Sequence, residues 1–64
     1  MDRKKISKKL VDLRGNIPRA IVSAKLEISE SALAMYETGK RIPKDDIKIK
    51  IATYYNQTVQ EIFF

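Results

Sequence analysis

The chain contains no cysteine and no histidine, and only two glycines and two prolines among its 64 residues. Without cysteine there is no disulfide framework, and without either residue there is no Cys/His zinc site. Helix packing or self-association is left to stabilise so short a chain. Gly15 and Gly39 stand alone, so there is no glycine-rich phosphate loop. Apolar runs are short: none approaches the roughly 18 residues of a membrane span, and the basic start is not followed by the roughly 7 to 15 apolar residues of a secretory signal. A cytoplasmic location is expected. Catalysis without His or Cys would rest on carboxylates, lysines or tyrosines, yet the conspicuous acidic pair, Asp45-Asp46, is better explained as a helix start behind Pro43. No enzymatic activity, cofactor or metal is expected.

What the chain does have is positive charge in clusters. Lysine and arginine number 13 against 8 acidic residues, a net charge of +5. Arg3, Lys4, Lys5, Lys8 and Lys9 crowd one end; Lys40, Arg41 and Lys44 crowd a later loop. Such clusters raise the local concentration of polyanions and can release counterions from nucleic-acid phosphates. The first cluster reads as a solvated helix face. Repeats, low-complexity segments and linkers are absent, and a single domain spanning residues 1–64 is expected. A chain of this length buries only about 60% of its unfolded surface, so its stability should be marginal.

Hydrophobic spacing predicts five short helices and an all-α fold. The first runs from Arg3 or Lys4 to Arg14, with Ile6, Leu10, Val11 and Leu13 facing inward, and stops at Gly15-Asn16. Pro18 starts the second, where its missing N–H is harmless, and Ile21, Val22 and Leu26 point inward. In the third, Ser29 is a cap, Glu30 suits the positive end of the helix dipole, Leu33 and Tyr36 face the core, and Gly39 takes the left-handed conformation that ends the segment. The stretch Ile47-Lys48-Ile49-Lys50-Ile51 alternates as a half-buried strand does. However, Asp45-Asp46 after Pro43, and Ile47, Ile51, Tyr54 and Tyr55 at helical spacing, favour a helix. Thr58 caps a last helix through Phe63.

Two short helices joined by a tight turn around Glu27-Ile28 form a helix-turn-helix pattern. The run Pro18-Arg19-Ala20-Ile21-Val22-Ser23-Ala24-Lys25-Leu26-Glu27-Ile28-Ser29, then Glu37-Thr38-Gly39-Lys40, Arg41-Ile42-Pro43, Ile51-Ala52 and Tyr54 to Phe63, resembles the Xre family of phage-repressor-like (Cro-like) regulators. In that family the second helix reads Ser/Thr-Gln-x-x-Leu-Ala-x-x-Leu-Gly-Val-Ser and the third ends in Glu-x-Gly-Lys. The resemblance spans nearly the whole chain and implies a lambda-repressor-like fold and a dimeric repressor on a palindromic operator in double-stranded DNA. Departures exist. Glu27 replaces the turn glycine, so either it adopts a positive φ at about 1 kcal/mol or the turn is built differently. In the fourth helix the family pattern puts leucines near Asp45 and Lys48, so that helix is packed differently or shifted.

Carried onto this sequence, the third helix presents Glu30, Ser31, Ala34 and Met35 to a major groove. Glu30 could accept from cytosine N4 or simply serve the helix dipole, Ser31 could bond base edges, and Ala34 and Met35 could touch thymine methyls. Phosphate contacts are expected from Ser29, Lys40, Arg41 and Arg19, the last standing at a helix start where the family has glutamine. Ile62, Phe63 and Phe64 are expected at a homodimer interface on the last helix, with Phe63 also closing the core. The competing reading is a protein-interaction module with the same fold, a phage or mobile-element accessory factor, to which the apolar Ala34 and Met35 would equally suit.

Overall fold

In the computed structural model, which describes residues 2–64, the chain forms α1 (Arg3–Arg14), α2 (Arg19–Leu26), α3 (Glu30–Glu37), α4 (Asp45–Tyr54) and α5 (Val59–Phe63), with no strand among those residues. Side-chain caps start three of the five. Asp2 accepts from the amides of Lys4 and Lys5 at 3.0 and 3.1 Å, and Ser29 accepts from Ala32 at 3.0 Å. Thr58 and Glu61 form a reciprocal capping box at the head of α5. The alternating segment 47–51 is helical, as its flanks indicated: α4 opens with Asp45 and Asp46 at its positive end and turns Ile51 and Ala52 into the core. Pro18 precedes α2 as its cap residue, one position earlier than its expected place in the first turn, and its carbonyl accepts from Ile21 and Val22.

Around one core, α1 packs on α3 and α5, α2 on α3 and α4, and α4 on α5. Ile6, Leu10, Val22, Leu26, Leu33, Tyr36, Ile51, Ala52, Ile62 and Phe63 fill it. Two residues expected inside lie outside: Val11 is 40% exposed and Ile21 50%. The reason is the narrowness of each buried stripe. On α1 the stripe follows Ile6 and Leu10, with Leu13 at its edge, and Val11 is rotated about 100° away. On α2 the stripe is Val22, Ser23 and Leu26, and Ser23 satisfies its buried hydroxyl by donating to the Ala20 carbonyl at 3.2 Å. At the other end of the chain, Ile62 and Phe63 are 4% and 1% exposed, so both are consumed by the core rather than offered to a partner; Phe64 is 70% exposed. Lys48 is also buried on α4, its ammonium 3.6 Å from Asp45 and 5.7 and 5.5 Å from the ring centres of Phe63 and Phe64. A cation over aromatic faces is attracted by their quadrupoles, which gives this lysine a partner where water is scarce.

Candidate nucleic-acid interface

The corner between α2 and α3 is built on Glu27. Its φ and ψ of 59° and 39° are left-handed, so this side chain accepts the strain that a glycine would avoid. The Ile28 amide donates to the Ser23 carbonyl at 3.0 Å and closes the end of α2. Ser29 then caps α3 and sets its direction. Glu30 and Ser31 are exposed on the first turn, whereas Ala34 and Met35, one turn on, are half-buried. The four residues thus share an outward side, polar at its start and apolar further along.

Past α3, the amides of Lys40 and Arg41 both donate to the Met35 carbonyl, at 3.0 and 3.3 Å, while Thr38 donates its hydroxyl to the Ala34 carbonyl at 2.8 Å. Gly39 has φ of 76°, the left-handed conformation expected of it. The backbone carrying two exposed cations is therefore pinned to the helix it follows. None of the ion pairs among the described residues involves Lys40 or Arg41.

Arg19 is placed differently from a free surface arginine. Its Nε donates to one oxygen of Glu37 at 2.7 Å, and the Nε of Arg14 donates to the other oxygen at 2.7 Å. Glu37 has no exposed side-chain surface, while Arg14 and Arg19 side chains are 16% and 39% exposed. One carboxylate from the end of α3 thus ties together the end of α1 and the start of α2. Hydrogen bonding to Glu37 holds the Arg14 guanidinium above its ordinary pKa, and its terminal nitrogen also donates to the Ile17 carbonyl at 2.9 Å. Beside this group the hydroxyl of Tyr55 is buried without a hydrogen-bond partner. Burial, then the Glu37 charge, pushes its pKa up to about 12.

Sequence reasoning missed Glu37 and Arg14, yet the signal was there. Leu33, Tyr36 and Glu37 recur at the spacing of one helix face, and an acid on a buried stripe demands a cationic partner. Among the described residues no cluster of carboxylates could hold a metal ion, and no helix is long and apolar enough to cross a membrane.

The arrangement offers a capped, outward-facing helix with the backbone of two exposed cations fixed to its end. A family model described as helix-turn-helix matches residues 8–62. No curated protein and no solved structure gives a match. The match runs from the second turn of α1 into α5 and takes in the corner, the capped helix and the basic loop, and the chain accordingly belongs to the Xre/Cro-like family of helix-turn-helix DNA-binding regulators.

Proposed function

We propose that residues 1–64 act as one sequence-specific DNA-binding unit, a cytoplasmic dimeric repressor that occupies a palindromic operator and excludes polymerase. The observation that carries this reading is the coupling of a solvent-facing α3 to exposed cations: the Lys40-Arg41 backbone hangs on the Met35 carbonyl, and Arg19 is held on Glu37. In this reading Arg19, Ser29, Lys40 and Arg41 hold phosphates, and Glu30, Ser31, Ala34 and Met35 meet base edges. Glu30 accepts from cytosine, and the two apolar side chains pack on thymine methyls. The dimer contact is centred on Phe64, the member of the expected set Ile62, Phe63 and Phe64 that reaches the surface.

Selection of bound sequences from a random DNA pool at physiological salt tests the reading. An inverted repeat with half-sites about 34 Å apart supports a dimeric reader. A monomer in sedimentation at high micromolar concentration removes the dimer from the account. The second reading, a protein-interaction module, is favoured by one observation: the outward set contains no Asn, Gln or Arg, the side chains that make bidentate contacts to adenine or guanine. Failure to recover any motif with folded protein selects that reading.

A further inference from the structure

The basic residues near the start of the chain form one cluster in sequence but divide between two sides of α1. Arg3 and Arg14 are eleven residues apart, about three turns, and so share a side of the helix. That side meets the end of α3: Arg14 bonds Glu37, and the backbone at Arg3 abuts Gly39, where a Cβ would lie 3.5 Å from the Arg3 carbonyl oxygen and 3.8 Å from the Arg3 Cβ. The Arg3 side chain therefore starts beside the residue that precedes Lys40 and Arg41. All three cations are exposed, and none takes part in an ion pair among the described residues. Lys5, Lys8 and Lys9, likewise in no ion pair among the described residues, line a depression with Asp12 and Glu61, whose carboxyl is held below its ordinary pKa chiefly by hydrogen bonding to Thr58 and further by the Lys9 charge.

We propose that Arg3 completes the phosphate-binding surface with Lys40 and Arg41, gripping the backbone of duplex DNA, while Lys8 and Lys9 take no part. The proposal rests on the DNA-binding reading above. Its physical basis is proximity of like charges. Three unneutralised cations on one small surface repel one another in the free protein, and a polyanion relieves that repulsion while releasing its own counterions. The lysines on the opposite side already have carboxylates nearby and gain less.

The test measures binding to a random-sequence 30-base-pair duplex across a salt series for the unaltered protein, R3A, R3K and the double variant K8A/K9A. Helical content by circular dichroism is checked for each. R3A is expected to lower the magnitude of the salt slope by about 0.9 and the affinity at 0.1 M salt by about fivefold, R3K to restore both, and K8A/K9A to leave the slope unchanged. An unaltered slope in R3A, with salt-dependent binding intact in the parent protein, overturns the role of Arg3 alone. An equal slope change in K8A/K9A also overturns it, since net charge would then explain the effect. Absence of salt-dependent binding by the parent protein overturns the DNA-binding reading itself and this proposal with it.

Discussion

Glu37 is a fully buried carboxylate held by two guanidinium groups, an arrangement in which the partners are not independent. Removing either arginine leaves the charge with one good hydrogen-bonded partner; removing both strands it. R14M and R19M are each expected to cost about 1–2 kcal/mol, and the double variant about 3–5 kcal/mol, more than their sum. Chemical denaturation of the four proteins checks this, and simple additivity would show that the carboxylate is shared more loosely than its distances indicate. Tyr55 presents the opposite case, a buried hydroxyl with no partner. Its folded pKa is raised from 10.0 to about 12, so between those values the unfolded chain releases the proton while the folded chain keeps it. The stability present below pH 10 is therefore lost as pH rises through this window. Y55F should abolish that alkaline component and leave neutral-pH stability equal or higher by up to about 1 kcal/mol, measured by thermal melts from pH 7 upward. Legibility at this scale was uneven. Leu33 and Tyr36 were readable from spacing, but Val11 and Ile21 were not, because each is adjacent in sequence to a buried residue, Leu10 and Val22, and a short helix offers few turns from which to fix the direction of its stripe. Arg19 was readable as a cation at a helix start, whereas its partner lies eighteen residues away across the fold.

Among the elements, two left-handed residues bracket α3 and differ in chemistry. Gly39 occupies its conformation at little cost, whereas Glu27 does so with a side chain. E27G is expected to stabilise the protein by up to about 1 kcal/mol and G39A to destabilise it by about the same amount. Urea denaturation would show the opposed signs, and a destabilising E27G would mean that the 3.9 Å pair of Glu27 with Lys50 outweighs backbone strain. Helix boundaries were legible because Ser29, Thr58, Gly15 and Gly39 act through their own backbone neighbourhood. Residues 47–51 were ambiguous because isoleucine and lysine alternate there in a pattern that suits either period. The flanking Asp45-Asp46 favoured the helix, and within it the Lys48 ammonium lies 5.7 and 5.5 Å from the ring centres of Phe63 and Phe64, a contact with the far end of the chain that no local window contains.

For the molecule as a whole, sorting the proposed interface into anchors and readers gives a joint prediction. K40A should weaken binding to all DNA alike and reduce the salt slope by about 0.9, whereas S31A and M35A should change which sequences are recovered from a random pool. Equal losses on selected and random DNA for S31A and M35A would mean that α3 meets DNA by another face. Hydrophobic periodicity and stop residues made the fold readable at this scale, while the proposed surface of α1, α2 and the loop after α3 rests on the contacts of Glu37 and Gly39, which are long-range and which sequence spacing does not encode. The Glu37 carboxylate has a mechanical corollary. Because it fastens α3 to α1 and α2, tilting α3 by itself would break a 2.7 Å contact to a buried charge, so adjustment of fit falls more readily on the duplex. Stiffness of the DNA would then enter the selection of sites, so that base pairs untouched by any side chain could still raise or lower occupancy through the energy of bending them.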